Sequence, residues 1–161
     1  MKPPAVAIPD AVELRVADPS LPPGAVFLAA MTAELAALYG DPDRLAHPHL
    51  DPAELTSPTG CYLVAWVGDE PVAGGGLRRL TDTTAEIKRM YVDPTWRGRR
   101  VAAVLLEGLE DAARSLGYRS VRLDTGPRQP HARRLYERAG YRAIPPYNDN
   151  RYAVFWGQKT L

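Results

Sequence analysis

Residues 84–124 restrict the fold more than any other stretch of the chain. Residues 84–92 (TAEIKRMYV) are patterned as a strand, Asp93-Pro94 ends it, and Arg97-Gly98-Arg99-Arg100 opens onto a helix over 101–116. Gly117 caps that helix, and 120–124 is again a strand. Two strands joined by a helix at this spacing lie parallel, with a right-handed crossover. Upstream, 61–67 and 71–80 flank the turn Gly68-Asp69-Glu70 and form an antiparallel meander with 84–92. Both patterns in one chain predict a mixed sheet covered by helices, an α/β fold.

The remaining elements fit around this unit. Residues 1–10 read as a flexible lead-in, and 11–161 as a single domain. Val12, Leu14 and Val16 alternate with Glu13 and Arg15 as a half-buried first strand. Pro22-Pro23 starts a helix over 26–39 that Gly40, with Pro42 beyond it, stops. Asp51-Pro52 has the form of an N-cap and first helical proline, predicting a short helix that Pro58 and Gly60 end. Gly74-Gly75-Gly76 permits a bulge or close backbone approach. On the 101–116 helix, Val101, Val104, Leu105, Gly108, Leu109, Ala112 and Leu116 share the predicted core face, and Glu107, Glu110, Asp111 and Arg114 face water. A second short helix over 130–139 carries Ala132, Leu135, Tyr136 and Ala139 on one face. Residues 141–144 and 152–159 close the sheet. The predicted order is β-α-α-β-β-β-α-β-α-β-β.

Bulk properties narrow the function classes. A chain of 161 residues with 45% apolar and 24% charged residues matches one soluble domain. Net charge is +1 and twenty bases face nineteen acids, which argues against a nucleic-acid or anionic-membrane partner. No apolar run approaches the ~20 residues of a membrane span. Pro3, Pro4, Pro9 and Asp10 do not resemble a signal peptide. Cys61 is the only cysteine, which excludes an internal disulfide and fits a reducing cytoplasm. His47-Pro-His49 has no further ligands near it in sequence, so no metal site is expected.

The turn at 97–103 is the leading chemical feature. Standing alone, an arginine-rich run is a solvated basic loop. At a helix N-terminus, however, free backbone N–H groups and the positive end of the dipole make a phosphate receptor. Arg97 and Arg99 can add charge-assisted bonds, and Gly98, Ala102 and Ala103 leave room for a ligand to reach the main chain.

These residues, with LYERAGY at 135–141, resemble the GNAT superfamily of N-acetyltransferases. That family binds acetyl-CoA at a turn of the form Arg/Gln-x-x-Gly-x-Gly/Ala; Arg97 fills the first position and Ala102 the last. The resemblance implies cofactor contacts from Met90, Tyr91, Val92, Arg97, Gly98, Arg99, Arg100, Val101, Ala102, Ala103, Gln129 and Ala132. It implies backbone N–H donors at Met90 or Tyr91 for the oxyanion, a hydrogen bond from Tyr136 to the leaving thiolate, and Glu86 as general base, directly or through water. The bland alternatives are a carboxylate paired with Arg79 or Lys88 and a core tyrosine.

Two residues depart from the family pattern. Arg100 stands where the turn has glycine, and a positive φ there costs an L-residue about 1–2 kcal/mol. Gln129 stands where many relatives carry asparagine. The acceptor implied is a small-molecule amine or amino acid, walled by 39–55 and 145–151, with Arg78, Arg79, Lys88 and Arg151 available for a substrate carboxylate. The alternatives are transfer from another acyl-CoA, or a catalytically silent CoA-binding module. A homodimer is the family-like expectation for assembly.

Overall fold

The computed structural model describes residues 11–40 and 50–161. The flexible lead-in expected at 1–10, the histidine pair and part of the proposed acceptor wall therefore lie outside the described residues. Among the described residues, strands β1 (Val12–Val16), β2 (Cys61–Val67), β3 (Glu70–Arg79), β4 (Thr84–Val92), β5 (Ser120–Thr125), β6 (Arg142–Ala143) and β7 (Phe155–Thr160) form one sheet. Its order is β1-β2-β3-β4-β5-β7-β6. Only β4 and β5 pair in parallel, as the helical crossover between them requires.

Among the described residues three α-helices cover the sheet: α1 (Gly24–Tyr39), α2 (Val101–Ser115) and α3 (Pro130–Arg138). Gly40 ends α1 in the left-handed region at φ 89°, donating its N–H to Ala36. The helix expected after Asp51 is only a 3-10 turn, Pro52–Leu55. The cap itself is as read, since the Asp51 side chain accepts from the Ala53 N–H at 2.9 Å. Four residues are too few to propagate an α-helix, and Leu55 instead plugs into the sheet, fully buried beside Gly76.

The two faces of the sheet differ. Under α2 and α3 lies an aliphatic core that includes Ala85, Ile87, Leu105, Leu109, Val121 and Leu123. Each fully buried leucine there contributes about 1.5–3 kcal/mol. The opposite face carries a smaller cluster of Phe27, Leu55, Tyr62 and Val64 beneath α1. Beyond it the strands present charge: Arg78, Glu86, Lys88, Arg122 and Asp124 alternate with the core residues.

Glu110 corrects the reading of α2. It is 3% exposed rather than solvated, with its carboxylate accepting from Tyr141 at 3.1 Å and Lys159 at 2.8 Å. Leu116, placed on the core face, is 39% exposed at the C-cap. The chain's last strands extend the sheet past the helix flank and cover what periodicity alone assigns to water. Val16 is likewise 77% exposed, at the end of an edge strand.

Candidate active site

The site begins where β4 and β5 part. Their pairing covers Thr84↔Ser120, Ala85↔Val121 and Glu86↔Arg122, and then stops. Beyond Glu86 the strands diverge, so one edge of each backbone faces the gap. A break in register explains the divergence on β4. Gly74 pairs with Tyr91 and Gly76 with Lys88, so Gly75 opposes both Arg89 and Met90. This is a β-bulge, with Arg89 at φ 58°. Gly75 makes it possible, because a Cβ there would stand 3.0 Å from Met90 Cγ and 3.2 Å from Leu109.

The bulge has a sequence signature that strand assignment overlooks. Ala85 and Ile87 belong to the core cluster, and the partly buried Met90 and Val92 pack against it. The apolar alternation therefore slips by one residue between Ile87 and Met90. Unbroken alternation would bury Arg89 in the aliphatic core; one extra residue avoids that.

A cleft of about 130 Å³ occupies the gap. Met90, Gln129, Ala132 and Tyr136, all expected at the site, line it. Facing them are Met31, Leu35 and Tyr39 of α1. Tyr39 closes one end: its hydroxyl accepts from the Arg128 N–H at 3.2 Å and lies 3.4 Å from Gln129 Oε1. Gln129 also accepts from the Gly126 N–H at 3.3 Å, holding the start of α3 against the end of β5. A Cβ on Gly126 would stand 2.0 Å from the Tyr39 oxygen, so glycine is needed for this closure. Tyr136 packs edge-on to Tyr141, and its hydroxyl bonds to no other described residue. Burial, reinforced by Asp124, pushes its pKa well above that of an ordinary phenol, so it remains a donor at neutral pH.

Glu86 lies at the vertex of the gap and is 1% exposed. Arg78 donates to Oε1 at 2.9 Å and Tyr147 to Oε2 at 2.7 Å, with Lys88 3.7 Å from Oε2. Its partner is thus Arg78 rather than Arg79, which pairs with Asp82. Burial opposes the charge on Arg78, but Glu86 and Glu54 more than offset it and its pKa rises. Burial and the neighbouring carboxylates Glu86 and Asp124 likewise hold the Tyr147 proton on. Asp124, on β5, does line the cleft; it accepts from Asn148 and, at 3.0 Å, from Asn150. The sequence signal for Asp124 is its place at the end of β5, opposite in phase to the buried Val121 and Leu123.

The arginine turn follows β4. Arg97 folds back, donating to the Val92 carbonyl at 3.0 Å and to Glu34 of α1 at 2.8 Å, with its guanidinium over Tyr91. Arg99 lies over the Trp96 ring. Gly98 has φ 77° and Arg100 φ 63°, so the position that asks for glycine does adopt the left-handed conformation. Arg100 is the N-cap of α2, and no side chain caps the helix. The first-turn N–H groups at Val101, Ala102 and Ala103 therefore have no intrahelical partner. An uncapped helix start joined to an open strand gap fits a pyrophosphate with an extended arm.

The acetyltransferase (GNAT) family matches residues 28–141, and the chain belongs to it. It is 35% identical over 99 residues to the IAA acetyltransferase of Azospirillum brasilense, covering 61% of this chain and 65% of that protein. A structure from Klebsiella pneumoniae assigned as an acyl-CoA N-acyltransferase aligns with TM-score 0.73 and 27% identity, over 93% of this chain and 97% of its own. The fold of a GNAT acetyltransferase from Elizabethkingia anophelis, solved with acetyl-CoA bound, aligns with TM-score 0.66 at 17% identity, over 94% and 99%.

Proposed function

We propose that the protein is an N-acetyltransferase that moves the acetyl group of acetyl-CoA to the amine of a small molecule or amino acid. The observation that carries this reading is the junction of the β4–β5 gap with the uncapped start of α2. In this reading the N–H groups of 98–103 hold the pyrophosphate, the bulged segment Met90–Val92 faces the thioester arm, and Gln129 and Ala132 form the opposite wall. Acetyl-CoA supplies an already activated acyl group, so the chain's task is to position an uncharged amine. Arg97 acts by fixing the turn to β4 and α1, with Arg99 and Arg100 as flanking positive charge.

The proton leaving the amine goes to the carboxylate network. Glu86 is the base we propose, reached through Tyr147 or water, with Asp124 between it and the cleft. An amine of pKa ~10.4 costs roughly 4–5 kcal/mol to deprotonate at pH 7, so a base matters most for such acceptors. Tyr136 is the donor to the departing thiolate. No membrane-spanning helix occurs among the described residues. A cytoplasmic, metal-free enzyme, with a homodimer as its assembly, completes the proposal.

Calorimetry with acetyl-CoA, followed by thiol release over an amine panel, tests it. Binding near the micromolar range with turnover of at least one amine is expected. Absence of binding at tens of micromolar would overturn it. Binding without turnover would leave a silent CoA-binding module, and faster turnover with a longer acyl-CoA would reassign the donor.

A further inference from the structure

The cleft holds polar groups that have no partner among the described residues. Arg78, Arg97 and Arg122 are each engaged: with Glu86 and Glu54, with Glu34 and Val92, and with Gln158. Arg89, half-buried and lining the cleft, makes no hydrogen bond or ion pair with any described residue. It also holds a left-handed backbone conformation, at φ 58°, that is strained for an arginine. Burial pulls its pKa down, against the opposing attraction of Asp124. A second group shares the cleft: Thr125 Oγ1 is buried with no hydrogen-bond partner. A desolvated guanidinium and a buried hydroxyl without partners are costly unless a guest satisfies them.

We infer that Arg89 anchors the carboxylate of the acceptor, and that the acceptor is an α-amino acid with an apolar side chain. This rests on the transferase reading above. The cleft carries both signs of charge that a zwitterion needs, with the Arg89 cation and the Asp124 carboxylate both in its lining. Met31 and Leu35 of α1 supply an apolar wall for the side chain. Lys88 is less suited to the anchor, because it stands 3.7 Å from Glu86 and 3.8 Å from Asp124. Arg79 and Arg151, suggested by sequence, are exposed outside the cleft.

The test compares acids with their decarboxylated amines: L-leucine with 3-methylbutylamine, and L-phenylalanine with 2-phenylethylamine. The wild type is expected to favour the acid by at least about tenfold in kcat/KM, the scale of one charge-assisted contact. Arg89→Gln should cut that preference by about tenfold through KM, leaving only the part that follows from the lower amine pKa of the acid. Arg89→Gly should do the same with a melting temperature no lower than wild type, because glycine accepts the backbone conformation, so loss of fold cannot mimic the result. Acetyl-CoA affinity should stay within about twofold in both variants; a large loss would assign Arg89 to a CoA phosphate and overturn the proposal. Equal rates for acid and amine in the wild type would overturn it while leaving the transferase reading intact. Direct binding of the two acids, followed by NMR, needs no turnover. Arg89-dependent binding without thiol release from any amine of the panel would retire the transferase reading and keep the carboxylate site; no binding of either acid would overturn the anchor.

Discussion

β4 and β5 are one pair of strands with two contrasting ends. At the closed end, Thr84–Glu86 pair with Ser120–Arg122, Thr84 and Ser120 hydroxyls meet at 2.9 Å, and Ala85 and Val121 are fully buried. At the open end the backbones part, one residue is inserted, and Arg89 and Thr125 carry polar groups without partners. The closed end satisfies its own groups and contributes stability. The open end leaves groups unsatisfied, which is how a scaffold keeps capacity for a ligand.

Substitutions at the two ends should therefore separate rate from stability. The largest effect is expected at the vertex. Glu86→Gln should lower kcat by about 10²–10⁴ for amines of high pKa, with Arg78 still held by Glu54. The deficit should shrink as pH rises toward the amine's own pKa, because more of the acceptor is then neutral; a pH-independent deficit would argue against Glu86 as base. Asp124→Asn, measured alongside, ranks the two carboxylates. On the closed side, Val121→Ala should cost about 2 kcal/mol in urea unfolding, since it removes two fully buried carbons.

Tyr136→Phe is a smaller, open-end change. It should lower kcat about tenfold while leaving the urea midpoint nearly unmoved, since the hydroxyl has no described partner. Wild-type activity should not fall through ionisation of this phenol up to pH 10. Tyr62, Tyr136, Tyr141 and Tyr147 all have pKa values pushed up by burial. The unfolded chain releases these protons near pH 10 and the folded chain retains them, so this stabilisation is complete below pH 10 and is lost as pH rises further. An alkaline unfolding series by circular dichroism checks that sign.

The smallest effect is expected in the turn. Arg100→Gly should stabilise the fold by on the order of 1 kcal/mol by relieving the left-handed arginine. Acetyl-CoA affinity should be equal or higher. A loss of affinity instead would show that the Arg100 side chain contacts the cofactor.

The sequence by itself determined the mixed sheet, the parallel crossover and the caps at Gly40 and Asp51, because each follows from periodicity or local backbone chemistry, while the left-handed demand at Arg100 came from the resemblance to the family's turn. It also pointed to the turn and to Met90, Gln129, Ala132 and Tyr136, which the fold does bring to one cleft. Only the tertiary structure decided which carboxylates are buried and what they pair with. Glu86 pairs across the sheet with Arg78, Asp124 enters the cleft from the neighbouring strand, and Glu110 is buried by strands that follow it far later in the chain. Burial and ion pairing depend on which distant segments arrive alongside, and a one-residue slip at Arg89 redirects every side chain beyond it. A local pattern carries no record of the first, and it shows the second only as a break in apolar alternation between Ile87 and Met90.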